Sequence, residues 1–141
     1  MTKSRKIVCS ISAGLIVLVF ASNTAEAADC NRECLRGFVT KYLDALIAHK
    51  PGDLPLAANV KFTEDTVQMK VGEGLWKNAT RLREYRLDVL DIRQGVAASQ
   101  VVIEEGDNPV LLQLRLKVVD EKITEIETMV EIGRASCRER V

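Results

Sequence analysis

The sequence predicts an α+β fold in which one N-terminal helix packs on a strongly bent antiparallel sheet. Three observations lead there. Apolar residues recur at intervals of three and four from Cys34 to His49, the period drops to two after Pro51-Gly52, and the alternation then runs on to Val130 in segments separated by Gly, Asp and Asn. A helix with one apolar stripe and strands with one apolar face bury each other as two layers.

The helix starts at Asp29 or Asn31 as N-cap. Its stripe is Cys34, Leu35, Phe38, Val39, Tyr42, Ala45, Leu46 and His49, about four turns, stopped by Pro51-Gly52. Residues 54–58 read as an extended loop, partly buried through Leu54 and Leu56. Val60 and Phe62 make a short strand, Glu64-Asp65 a turn, and Val67, Met69 and Val71 a second strand. Gly72-Glu73-Gly74 then demands a sharp turn or a positive φ. Residues 75–80 form a short turn or helix that leads into strands over 85–92, 96–104, 110–119 and 123–130. The last three are joined by turns at Gly106-Asp107-Asn108-Pro109 and Asp120-Glu121. Along 110–119, Leu112, Leu114, Leu116 and Val118 share one face, with Gln113, Arg115 and Lys117 on the other, so one face is dry and the other at least partly wet.

Neither end of the chain reads as part of this domain. Lys3, Arg5 and Lys6 precede an apolar stretch over 7–20, then Ser22-Asn23-Thr24 and Ala25-Glu26-Ala27. That order of charged, apolar and A-x-A segments is a signal peptide, residues 1–27, cleaved before Ala28. Its apolar stretch is interrupted by Ser10 and Ser12 and is shorter than the roughly 20 residues a membrane span needs, so no stable membrane anchor is expected after cleavage. Asp29 before Cys30 is also the wrong context for a lipidated cysteine. The mature product is expected to be exported, in the periplasm or secreted. At the other end, residues 132–141 break the alternation, and their ten codons fit one reading frame of a common short-read sequencing adapter. They read as an artefact, which makes the gene cut short and the domain, residues 28–131, incomplete at its C-terminus.

Charge and cysteine use follow from this division. Setting aside Lys3, Arg5, Lys6, Arg134, Arg138 and Arg140 leaves 14 of 20 basic residues; setting aside Glu26 and Glu139 leaves 18 of 20 acidic ones, a net charge of −4. Without a basic stripe, nucleic acid is not an expected partner. A chain of about 100 residues buries about 65% of its unfolded surface, enough for one modest core. Of the four cysteines, Cys30 and Cys34 fall within the domain. Across an oxidising compartment this C-x-x-x-C pair is a candidate disulfide, the alternative being two free thiols on one helical face. Two cysteines without further ligands make no closed metal site, and no motif calls for a cofactor.

Several strings carry a resemblance: Leu54-Pro55-Leu56-Ala57, Val60-Lys61-Phe62-Thr63-Glu64, Gly72-Glu73-Gly74-Leu75-Trp76-Lys77, Tyr85-Arg86, Leu114-Arg115-Leu116-Lys117-Val118 and Lys122-Ile123-Thr124-Glu125-Ile126-Glu127-Thr128. Together, over 39–130, the chain resembles a family of exported bacterial and fungal proteins of unknown function in the nuclear transport factor 2-like superfamily. The resemblance implies a cone-shaped α+β fold, a bent sheet wrapped around a pocket, and members that continue beyond this point. It implies no reaction. Where members often carry Asp-Gly or Asn-Gly turns, this chain has Asp65-Thr66 and Asp120-Glu121.

The candidate functional residues are few. His49 is the sole histidine and stands where it would complete the last helical turn and meet the helix dipole; acid-base catalysis is its alternative role. Glu125 and Glu127 share one face of the last strand, suited to acid-base work in a dry pocket. A two-residue turn at Asp120-Glu121 sets them opposite Leu116 and Leu114; one residue more sets them opposite Lys117 and Arg115, where a charge ladder explains them. Tyr42, Trp76 and Tyr85 are amphipathic rings suited to core, rim or ligand contact, and Arg115 is a ligand-binding candidate beside them. Asn78-Ala79-Thr80 matches a glycosylation acceptor, but the bacterial style of the leader predicts no glycan. The leading functional expectation is a protein that binds a small, partly apolar ligand or a partner in a cone-shaped pocket. The alternatives are an isomerase, dehydratase or cyclase using a pocket carboxylate, and an interaction module whose sheet pairs with a second copy or with its own missing C-terminal half.

Overall fold

The computed structural model describes residues 30–132, so the signal-peptide reading and residues 133–141 of the adapter-like segment lie outside the described residues. Helix α1 (Arg32–Ile47) begins where Asn31 accepts the Cys34 backbone N–H at 3.0 Å, satisfying one of the free donors of the first turn. Cys30 and Cys34 straddle that cap as a disulfide with Cα atoms 5.2 Å apart. The helix ends in a Schellman arrangement: Lys50 N–H donates to the Ala45 carbonyl at 2.9 Å and His49 N–H to that of Leu46 at 3.1 Å. His49 therefore does not sit in the last turn as the stripe suggested. It follows the helix in a left-handed conformation, φ 56°, where glycine is usual.

Six strands follow: β1 (Leu56–Glu64), β2 (Val67–Met69), β3 (Ala79–Asp91), β4 (Val96–Glu105), β5 (Asn108–Val119) and β6 (Lys122–Ile132), in sheet order β2-β1-β6-β5-β4-β3. β1 runs parallel to β6 and every other neighbouring pair is antiparallel, so the sheet is mixed where an antiparallel one was expected. The segment after β2, with its short helical turn at Gly74–Lys77, carries the chain to the far edge, and the β3–β6 meander returns β6 alongside β1. β6 thus has a partner on each side.

The extents differ from the sequence reading in ways the pairing explains. Residues 56–58 are strand because Leu56 pairs with Ile123, and an irregularity then separates it from the Lys61–Glu125 pair. β2 stops at Met69 without reaching Val71, and β3 starts at Ala79 with an irregularity between Leu82 and Arg86. Asn108 and Pro109 belong to β5, leaving Gly106-Asp107 as the turn, with Gly106 at φ 62°. Asp65-Thr66 (φ 48° and 70°) and Asp120-Glu121 (φ 49° and 55°) make two-residue turns with both central φ positive, the hairpin geometry that normally favours glycine.

α1 lays Leu35, Val39, Tyr42, Leu43 and Leu46 on the sheet face formed by Ala97, Val101, Ile103, Leu112, Leu116 and Ile126. A 16-residue helix is marginal by itself in water, and each buried leucine contributes about 1.5–3 kcal/mol, so this face holds it in place. A polar clamp adds direction. Arg86 on β3 donates to Thr40 Oγ1 (3.0 Å) and the Arg36 carbonyl (3.4 Å) of α1, and pairs with Asp88 at 2.9 Å. Burial pushes the Asp88 carboxyl up, but hydrogen bonds from Arg86 and Ser99 and the charges of Arg86 and Arg36 outweigh it and hold its pKa below the ordinary value.

Candidate functional site

Between helix and sheet the interior is occupied by side chains. The Trp76 indole N–H donates to the Tyr42 hydroxyl at 3.1 Å, and the two rings meet edge to face at 5.3 Å. Both are 1% exposed, beside the equally buried Phe62, Leu112 and Leu116. Burial pushes the Tyr42 hydroxyl above the ordinary tyrosine range, against the hydrogen bond from Trp76 and with the charge of Glu64 adding to the rise. Tyr42 and Trp76, two of the ligand-binding candidates, are thus core residues of this structure.

Glu64, read from the sequence as a turn residue, ends β1 at the rim of this core. Its Oε1 accepts the Leu75 N–H at 3.0 Å, and the Thr128 hydroxyl donates to Oε2 at 3.3 Å. Burial raises its pKa, the Leu75 and Thr128 hydrogen bonds oppose that, and the charges of Asp65 and Glu105 add to it. Gly74 makes the arrangement fit: at φ 66°, a Cβ there would lie 2.1 Å from Glu64 Oε1. Glu64 opens on a rim cavity of about 290 Å³ with Asp65, Glu105, Asn78 and Val130 in its wall. The positive-φ demand at Gly72-Glu73-Gly74 was the one sequence signal near it.

Glu125 and Glu127 lie on the opposite face of the sheet. The Asp120-Glu121 turn pairs Val119 with Lys122, but an extra residue at Thr124 shifts the register, so Glu125 stands opposite Lys117 and Glu127 opposite Arg115. Arg115 Nη1 lies 3.2 Å from Glu125 and 3.1 Å from Glu127. The two carboxylates form a solvated ladder with Arg115, which the bulge produces without lengthening the turn.

The same outer face carries a trough of about 310 Å³. Its floor is Ala98 with Gln100 and Gln113, its walls are Leu87 and Val89 on one side and Met129 on the other, and Arg115 with Glu127 marks one end. Alternation along β3 to β6 turns these residues away from α1, and the small Ala98 lowers the floor between larger neighbours. Tyr85 joins this face, its hydroxyl donating to Gln100 Oε1 at 2.7 Å. Tyr85, Leu87, Val89 and Met129 are 48–64% exposed. Of the candidates, Arg115 and Glu127 line this trough and Tyr85 reaches it through Gln100, all on the other side of the sheet from Tyr42 and Trp76.

His49 belongs to neither place. Its Nδ1 lies against the Trp76 carbonyl, which directs Nδ1–H inward and leaves Nε2 at a shallow surface cavity with Pro51, Gly72 and Lys77. Among the described residues no carboxylate hydrogen bond to the ring is seen, no group of three or more His, Cys, Asp or Glu could hold a metal ion, and no helix is long and apolar enough to cross a membrane.

No protein-family model and no curated protein sequence matches the chain. Solved structures do. AclR, a candidate hydroxylase of Streptomyces galilaeus, is 11% identical with a TM-score of 0.58, over 74% of this chain and 83% of its own. A de novo designed protein with a curved β-sheet is 18% identical with a TM-score of 0.57, over 74% and 89%. A candidate ketosteroid isomerase of Kribbella flavida is 21% identical with a TM-score of 0.51, over 77% and 90%. At these identities the likeness is one of fold: this chain has the α+β cone of nuclear transport factor 2-like proteins.

Proposed function

We propose that the protein is a binding module that takes a small, partly apolar ligand on the outer face of its sheet, not inside the cone. One observation carries this reading: the helix side of the sheet is filled by Tyr42, Trp76 and Phe62, while Leu87, Val89 and Met129 stand exposed around a trough of about 310 Å³. Soluble proteins seldom leave such residues grouped without use, and the volume suits a small molecule. Export is part of the proposal, supported by the charged-apolar-A-x-A leader and by the Cys30–Cys34 disulfide, which persists in oxidising compartments. Titration with the neutral apolar dye Nile red tests the binding. Ala98→Phe, which fills the floor, is expected to weaken dye affinity at least tenfold; undiminished affinity in a folded variant contradicts the proposal.

Enzyme chemistry is the second reading, and Glu64 favours it. A half-buried carboxylate with a raised pKa at a rim cavity is a fair acid-base group for isomerase, dehydratase or cyclase chemistry. Ligand-induced shifts at Glu64 and Trp76, with the outer face silent, would turn the assignment in that direction.

A further inference from the structure

Given the outer-face binding proposed above, on which this rests, we infer the chemical class of the ligand: an uncharged carbonyl compound with an apolar body. Gln100 selects it, its amide held in one orientation by the Tyr85 hydroxyl. Strand pairing lays the trough out as two rows across the sheet. In one, Leu87, Gln100, Gln113 and Met129 stand side by side, so two amides lie between two apolar walls. In the other, Val89, Ala98 and Arg115 follow one another, so the hollow over Ala98 is apolar on one side and ends at a guanidinium on the other.

A side-chain amide has an accepting end and a donating end, and whatever holds one end leaves the other for a ligand. The Tyr85 hydroxyl donates to Gln100 Oε1 at 2.7 Å. A phenol donates more readily than it accepts, because its lone pairs are drawn into the ring, so this orientation is the favoured one. The Gln100 nitrogen, with two N–H donors, is then what the amide offers the trough, and a ligand must answer with an acceptor. Gln100 is half-buried between Leu87 and Gln113, which strengthens a hydrogen bond made there over one in open water.

Charge decides between a neutral acceptor and an anion. Arg115 is the cation of the trough, but its Nη1 lies 3.2 Å from Glu125 and 3.1 Å from Glu127, so its charge is already answered twice. A carboxylate entering beside it would meet Glu127 in the same wall and give up its hydration for a cation it has to share. A carbonyl oxygen has no charge to desolvate and is satisfied by the Gln100 N–H. Ketones, esters and lactones share this chemistry. The volume of about 310 Å³ is at the small end for ligand sites and suits a compact ring compound.

The test displaces Nile red from the purified protein with 2-acetylnaphthalene, its hydrocarbon counterpart 2-isopropylnaphthalene, and 2-naphthoate. The quantity read is the ratio of ketone to hydrocarbon affinity in wild type against variant, which cancels the difference in their hydrophobicity. A neutral hydrogen bond corresponds to roughly two- to twelvefold in affinity, so Gln100→Leu is expected to lower the ratio about fivefold and Tyr85→Phe about two- to threefold. The Gln100 side-chain amide NMR signal should move with the ketone and stay in place with the hydrocarbon. 2-Naphthoate is expected to bind about tenfold more weakly than the ketone. Near-ultraviolet circular dichroism of the buried Trp76 reports whether each variant is folded. A ratio unchanged in Gln100→Leu overturns selection by this amide and leaves the outer-face function standing. A ratio that falls in Gln100→Leu but not in Tyr85→Phe overturns the orienting role of Tyr85. Naphthoate displacing the dye as well as the ketone does overturns the uncharged class. Nile red affinity undiminished in Ala98→Phe overturns the outer-face function and the ligand class together.

Discussion

Gly74→Ala probes a contact that leaves no room for a Cβ. Two costs add. At φ 66° an L-residue is strained by about 1–2 kcal/mol relative to glycine. The new Cβ would also stand 2.1 Å from Glu64 Oε1 and 2.8 Å from its Cδ, so the carboxylate must leave the Leu75 N–H. A hydrogen bond to a charged group contributes about 1.5–3 kcal/mol, and the lower end applies here because Glu64 is half exposed and water compensates part of the loss. The expected destabilisation is about 3 kcal/mol, read from urea unfolding followed by Trp76 fluorescence. A double-mutant cycle separates the costs: in a Glu64→Ala background, Gly74→Ala should cost only the backbone strain of about 1–2 kcal/mol. Equal losses in both backgrounds would refute the claim that Gly74 is there to admit the Glu64 carboxylate.

Other outcomes follow from the same contacts. Tyr42→Phe removes the acceptor of a buried indole N–H and should destabilise by about 1–3 kcal/mol in the same unfolding assay. Thr66→Gly and Glu121→Gly relieve positive φ values of 70° and 55°; after the added freedom of the unfolded chain is subtracted, each should raise stability by about 0.5–1 kcal/mol, seen as a higher Tm. Glu104 is held at about 2, from an ordinary 4.5, by hydrogen bonds from Arg81 and then Arg83. Its folded pKa being the lower, its contribution is present above pH 4.5 and fades as pH falls toward 2; Glu104→Gln should flatten stability over that window. Glu64 has the opposite sign: with its folded pKa raised, it favours the folded state most when protonated, so Glu64→Gln should remove a gain in stability that the protein shows on acidification.

The helix and the four long strands were legible because their patterns are local: Leu35 to Leu46 keep one helical stripe, and Leu112 to Val118 one sheet face. The faces of Glu125 and Glu127 were not, because one unpaired residue, Thr124, reverses what the turn length dictates, and nothing in the type of Thr124 announces a bulge. The parallel β1–β6 pair joins Phe62 to Ile126, a separation no period reveals. Tyr42 and Trp76 read from the sequence as amphipathic rings suited to core, rim or ligand contact; their place in the core follows from a contact between α1 and the segment after β2, 34 residues apart, that no local pattern shows. Glu64 was overlooked because a carboxylate before Asp65-Thr66 reads as turn polarity; its partners Leu75 and Thr128 come from two other elements.

A ligand on the outer face of the sheet and one between helix and sheet touch different residues. Titrating isotope-labelled protein with Nile red and following its methyl and aromatic NMR signals decides between them. Outer-face binding shifts Leu87, Val89, Ala98 and Met129 and leaves Tyr42 and Trp76 unmoved; shifts at Trp76 and the Glu64 rim, with Val89 and Met129 silent, would contradict it.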